Sequence, residues 1–184
     1  DIQRSRGLGD VYKRQTPLFH IVGITPECRR LTDVGGETLT PKSVTGEMLD
    51  ALKQPFTAIG DPLDVVVFAA PQLSLVEMAE LANLCDGRKR AETTDVIVCT
   101  SAQVYSDAVS MGYVKQIENF GGRVLVGTCF YQQYAREIGE ANGWTRLLSN
   151  SAKIVNILGG YGYQPALGTM QACVASAEKG VILS

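Results

Sequence analysis

The chain predicts an α/β protein, a doubly wound, mostly parallel sheet in three layers with helices on both faces. Three observations carry that expectation. Residues 64–70 and 95–100 are continuous apolar runs without alternation, the pattern of strands covered on both sides. Segments with apolar residues at helical spacing separate such runs, and strands alternating with helices imply βαβ units. Polar residues then cluster past the carboxyl ends of the expected strands, where sheets of this kind bind ligands.

Bulk properties narrow the classes. At 184 residues, 45% hydrophobic and 20% charged, the chain suits one globular domain. A net charge of −2 advertises neither a nucleic-acid nor a membrane-surface partner. No apolar run reaches the roughly 18–20 residues of a membrane span, and with no export signal visible the expected location is cytoplasmic. Five cysteines, at 28, 85, 99, 129 and 173, form no CxxC pair. A disulfide framework is not expected, and a buried free thiol is the plain reading of each.

Taken in order, residues 1–15 are charged and unpatterned. Ser5 to Gln15 resembles the translation of a sequencing adapter, so this stretch is set aside as a non-native or disordered tail. The chain proper is then residues 16–184, expected to continue a longer protein upstream. Residues 19–24 read as a buried strand that stops before Pro26, residues 31–43 as a loop and residues 44–54 as a helix. After strand 64–70, Ser74 and Glu77 form an S-x-x-E capping box opening a helix over 75–85. After strand 95–100, Ser101 is placed to cap a helix over 102–111. A short helix over 114–120 stops at Gly121-Gly122, and a strand over 123–126 leads to Thr128-Cys129. Helices are expected over 131–141 and 151–158, a loop over 159–162, and a last helix over 169–179 with Gly180 as its stop.

Several residues carry possible chemistry. Cys129 follows a strand and precedes a helix, a position that favours the metal-binding thiolate. Cys173, in an Ala-rich helical run, reads by itself as core packing. Ser149, Asn150 and Ser151 suit either a helix cap or an anion site. Lys153 is harder to explain as a cap, and its ammonium beside such a site suits a substrate carboxylate or phosphate. His20, the single histidine, reads by itself as a packed strand residue; Glu27 caps a turn or holds a site hydrogen bond.

Four segments, in order, also carry a resemblance: 19–27 (ending Thr-Pro-Glu), Val-Leu-Val-Gly-Thr-Cys at 124–129, Ser-Asn-Ser-Ala-Lys at 149–153, and Met-Gln-Ala-Cys-Val at 170–174. Together they resemble the C-terminal part of the aconitase X large subunit, over nearly all of residues 16–184. The resemblance implies an aconitase-like three-layer fold and a hydro-lyase with an iron–sulfur cluster. It makes Cys129 and Cys173 cluster ligands, with a third cysteine upstream of the chain. It gives His20 and Lys153 catalytic roles and places Glu27, Ser101, Ser149, Asn150 and Ser151 around the substrate. A small swivelling domain or subunit is the implied partner. The implied reaction removes water from a small hydroxy acid, cis-3-hydroxy-L-proline by preference, with mevalonate 5-phosphate the alternative. One departure stands out: Pro-Gln-Leu-Ser at 71–74 replaces the family's Pro-His-Phe-Ser, and an amide cannot titrate near neutrality. That departure sustains a reading from another class, a non-catalytic α/β subunit binding a small anion.

Overall fold

A computed structural model describes residues 19–53 and 58–183. It divides into two units, Asp1–Met48 and Leu49–Ser184. The tail expected over residues 1–15 lies outside the described residues.

The first unit corrects one expectation. Residues 19–24 form a turn and not a strand, with Phe19 70% and Ile24 75% exposed. Gly23, at a φ of 80°, supplies the reversal, and its N–H donates to the Cys28 carbonyl at 2.8 Å. The Thr25 hydroxyl accepts from the Ile21 N–H at 2.8 Å. Local hydrogen bonds of this kind compete with a strand ladder, and an apolar run alone does not decide the contest. Two 3₁₀ turns follow, Leu31–Val34 and Gly36–Thr38. Helix α1 runs Gly46–Lys53, inside the expected 44–54.

The second unit is built on five strands: β1 (Val65–Leu73), β2 (Asp95–Thr100), β3 (Gly122–Val126), β4 (Arg146–Ser149) and β5 (Gln164–Leu167). Their order is β3-β2-β1-β4-β5 and every neighbouring pair is parallel. Between them lie α2 (Leu75–Cys85), α3 (Ala102–Ser110), α4 (Tyr113–Phe120), α5 (Ala135–Asn142), α6 (Ala152–Leu158) and, after β5, α7 (Met170–Lys179). Residues of β1 alternate between two cores. Val66 and Phe68 pack with Met78, Leu81, Ile117 and Ala177, from α2, α4 and α7. Val65, Val67 and Ala69 pack with Ala135, Ile154 and Leu158, from α5 and α6. Both faces are therefore covered, which is why β1 is apolar at every position from 65 to 70. Each such side chain, wholly buried, contributes roughly 1.5–3 kcal/mol.

Helix boundaries follow the capping signals. The Ser74 hydroxyl accepts from the Glu77 N–H at 3.3 Å, and the Glu77 carboxylate accepts from the Ser74 N–H at 2.8 Å. Ser101, Ser151 and Thr169 cap α3, α6 and α7 in the same way, through the N–H groups of Val104, Ile154 and Ala172. Helix α7 ends at Gly180, in the left-handed region at a φ of 72°. Strands β4 and β5 were not expected. Nor is 131–141 one helix: it is a 3₁₀ turn over Phe130–Gln132 and then α5.

Candidate active site

The strand order reverses its direction of growth between β1 and β4. The helix after β1 packs on one face and the helix after β4 on the other, which leaves a crevice at the carboxyl ends of these two strands. A cleft of about 320 Å³ lies there. One wall is Ala69, Ala70, Pro71, Leu73 and Glu77; the other is Asn150, Ser151, Ala152 and Lys153.

The first wall is made by a break in β1. Pairing with β2 is regular from Val65 to Phe68, then shifts so that Leu73 pairs with Thr100. At the break Ala70 has a φ of 52°, a conformation that costs a residue with a Cβ about 1–2 kcal/mol. It is held in place by Ser151, whose hydroxyl donates to the Ala70 carbonyl at 2.6 Å. Strained backbone that the surroundings hold in this way concentrates at functional sites.

The second wall follows β4. Ser149 is wholly buried; its hydroxyl donates to the Val67 carbonyl at 2.6 Å and accepts from the Ser151 N–H at 3.1 Å. Its two bonds to backbone commit it to shaping the cleft. Ser151 is shared between the Ala70 carbonyl and the start of α6. Asn150 lines the cleft, and its amide has no protein partner among the described residues. Lys153 is exposed, forms no ion pair among the described residues, and holds its Nζ 5.6 Å from the centroid of the Tyr131 ring. It is the single cation of the lining among the described residues. Glu77 faces the same space, but its carboxylate accepts from both the N–H and the hydroxyl of Ser74.

The remaining expected residues are scattered. Ser101 stands at the end of β2 as the cap of α3 and does not line the cleft. His20 and Glu27 belong to the first unit, both exposed, on and beside the turn that replaces the expected strand. Cys129 lies three residues past β3 and is 9% exposed. The Gln72 amide donates to the carbonyl of Thr128 at 2.9 Å, tying this connector to the end of β1. Cys129 packs in the core that holds Cys99 and Phe130, whereas Cys173 is enclosed in the core on the opposite face of the sheet. Burial pushes the Cys173 thiol far above its ordinary range and disfavours thiolate. Burial also raises Cys99 to about 12, helped by Cys129 and opposed by the Phe130 N–H.

An iron–sulfur cluster needs its thiolates gathered on one centre. As folded, Cys129 and Cys173 face opposite sides of the sheet, and no three His, Cys, Asp or Glu side chains among the described residues are grouped to hold a metal. The two thiols therefore do not fit a shared cluster, and their expected convergence is not found. Both do follow carboxyl ends of the sheet, Cys129 after β3 and Cys173 after β5. Tyr131, which sequence reasoning passed over, comes to the site through Lys153, and Gln72, noted in the sequence only as a departure from the family's Pro-His-Phe-Ser, ties the connector bearing Cys129 to the end of β1. Only the fold brings either residue to these partners.

The family model of the aconitase X third domain matches residues 63–179, which span the whole sheet. The chain belongs to the aconitase X family. It is 29% identical over 168 residues to a cis-3-hydroxy-L-proline dehydratase of Pseudomonas aeruginosa, covering 89% of this chain and 29% of that protein. It is 33% identical over 144 residues to a phosphomevalonate dehydratase large subunit of Methanothermobacter thermautotrophicus, covering 78% of this chain and 34% of that one. The crystal structure of Thermococcus kodakaraensis aconitase X, in its holo-form, has the same fold, with a TM-score of 0.64 at 22% identity over 84% of this chain and 38% of that one. The chain thus spans about a third of the length of the aconitase X relatives it matches.

Proposed function

We propose that this chain is the part of an aconitase X dehydratase that binds the acid group of a small hydroxy acid, and that the whole protein removes water from it. The observation that carries this is the pairing of Lys153 with Asn150 on one wall of the switch-point cleft. An ammonium and an amide that have no hydrogen-bonding or ionic partner among the described residues suit a substrate carboxylate. Among the described residues the lining holds one lysine and no arginine, so it is no phosphate clamp, which favours cis-3-hydroxy-L-proline over mevalonate 5-phosphate. Here Lys153 neutralises the carboxylate, Asn150 orients it, and Ser149 and Ser151 hold the wall. The family resemblance assigns proton transfer to His20 and a substrate contact to Glu27, both exposed residues of the first unit. Ser101 is assigned to capping. An iron–sulfur cluster would supply Lewis-acid chemistry for the departing hydroxyl, and Cys129 is the thiol of this chain that would hold it, since Cys173 is enclosed on the opposite face of the sheet. The proposed partner is the small swivelling domain or subunit that the family resemblance implies.

The test is a chimera in which residues 63–179 replace the matching domain of the P. aeruginosa enzyme. It is expected to dehydrate cis-3-hydroxy-L-proline, and Lys153→Met to lower kcat/KM by about tenfold to a hundredfold through loss of a charged hydrogen bond. An active chimera indifferent to Lys153→Met refutes the assignment. The enclosure of Cys173 on the far face favours a second reading, a cluster-free module that binds a small anion. A colourless, inactive chimera that still binds acetate through Lys153 would establish that one.

A further inference from the structure

Lys153 approaches an aromatic face where a carboxylate would be the usual neighbour. Its Nζ lies 5.6 Å from the centroid of the Tyr131 ring. Tyr131 sits in the 3₁₀ turn Phe130–Gln132, directly after Cys129. That turn is fixed at both ends. Before it, the Gln72 amide holds the Thr128 carbonyl. Within it, Phe130 is 1% exposed and packs its ring 6.5 Å from that of Trp144 and 6.2 Å from that of Tyr163. The Tyr131 ring is thus presented from an anchored segment, while Lys153 is an exposed side chain that forms no ion pair among the described residues.

The chemistry of the contact differs from that of an ion pair. A carboxylate would neutralise the ammonium and occupy its N–H donors. A ring face attracts the cation through its quadrupole and leaves the charge in place. A lysine oriented in this way still offers hydrogens and full positive charge to an incoming anion.

We propose that Tyr131 is a positioning residue that aims Lys153 at the cleft and thereby joins the connector bearing Cys129 to the anion site. This rests on the reading of Lys153 as the anion-binding group. It makes a specific demand: the face of the ring is what matters, and the phenol hydroxyl is not.

The experiment is reductive ¹³C-methylation of the lysines of the 184-residue chain, with the Lys153 signal assigned from Lys153→Arg, followed by titration with inorganic phosphate and with acetate. The dimethyl-Lys153 resonance is expected upfield of the exposed lysines, from the ring current of Tyr131. It stays there in Tyr131→Phe and returns to the exposed position in Tyr131→Leu. Acetate affinity is expected to fall about two- to fivefold in Tyr131→Leu and to recover in Tyr131→Phe, the rescue that a merely structural role for the hydroxyl would not produce. Phosphate is expected to bind less tightly than acetate but with the same pattern. An unshifted Lys153 resonance in the parent chain overturns the inference and leaves the anion-site reading standing. A shifted resonance with acetate binding indifferent to Lys153→Met overturns the anion-site reading and this inference with it.

Discussion

Ser149 is the residue whose removal tests the site most directly. Its hydroxyl is wholly buried and makes two bonds, to the Val67 carbonyl at 2.6 Å and from the Ser151 N–H at 3.1 Å. In Ser149→Ala the enclosed Val67 carbonyl and the part-buried Ser151 N–H both lose that partner. A buried polar group left unpaired costs about 1–3 kcal/mol. Only the first bond is fully enclosed, so the sum is about 2–3 kcal/mol. With an m-value of about 2 kcal/mol/M in urea, the unfolding midpoint falls by about 1 M at unchanged m. Ser149→Thr keeps the hydroxyl and is expected to retain more of the midpoint. Urea unfolding followed by far-UV circular dichroism reads both. A midpoint for Ser149→Ala within about 0.2 M of the parent chain would show that these bonds do not hold the cleft, and would reopen the direct substrate contact that the sequence suggested.

Three further outcomes are expected. Gln72→Ala frees the connector at Thr128, and loss of one hydrogen bond worth about 1 kcal/mol should raise the rate of Cys129 alkylation by iodoacetamide about fivefold; an unchanged rate means the tether does not restrain the thiol. Burial lifts the Cys85 thiol from an ordinary value of 9.0 to about 12, against the opposing charge of Arg88. Below the lower value the thiol is protonated whether the chain is folded or not; between the two the unfolded chain sheds its proton first, so stability falls as pH rises through that window. Cys85→Ala should flatten that fall in Tm, and an identical slope in the two proteins contradicts it. Finally, Ser74→Ala removes the cap of α2 and should cost about 1 kcal/mol, read in the same urea assay, with no loss a sign that Glu77 alone satisfies the helix start.

What the sequence made legible was whatever depends on neighbours along the chain. Strands β1 and β2 announce themselves because both faces are covered, and their apolar runs are unbroken over 65–70 and 96–99. Ser74 with Glu77, Ser101, and Thr169 with Gly180 marked helix ends to within a residue or two because capping is local. Strands β4 and β5 are four residues each, read Arg-Leu-Leu-Ser and Gln-Pro-Ala-Leu, and hold no β-branched residue. Their conformation is imposed by pairing, of β4 with β1 and of β5 with β4, which local propensity does not report. Pro165 is tolerated because β5 is an edge strand. The opposite error occurred at residues 19–24, where an apolar run signalled burial and the chain turns in solvent.

The site divides in the same way. Asn150, Ser151 and Lys153 were legible as a motif, and the cleft holds all three. The partners of that motif were not. Gln72 reaches Thr128 across 56 residues, and Tyr131 meets Lys153 only because the turn after Cys129 folds back over the sheet. The two cysteines failed to converge for a related reason: both lie past strands at the expected edge, but sequence does not say on which face of the sheet each side chain lands.

The ladder between β1 and β4 has a further consequence. It holds two register pairs, Val65 with Leu147 and Val66 with Leu148, where β2 and β3 share five. Just beyond those two pairs, the hydroxyls of Ser149 and Ser151 stitch the strands together. The sheet is therefore bound like a book with a short spine, three strands on one leaf and two on the other, and the cleft sits where the pages part. A guest touching both walls acts as a clasp, so occupancy and the integrity of the spine are thermodynamically linked. Amide exchange in β5, none of whose residues lines the cleft, should slow when the cleft is filled.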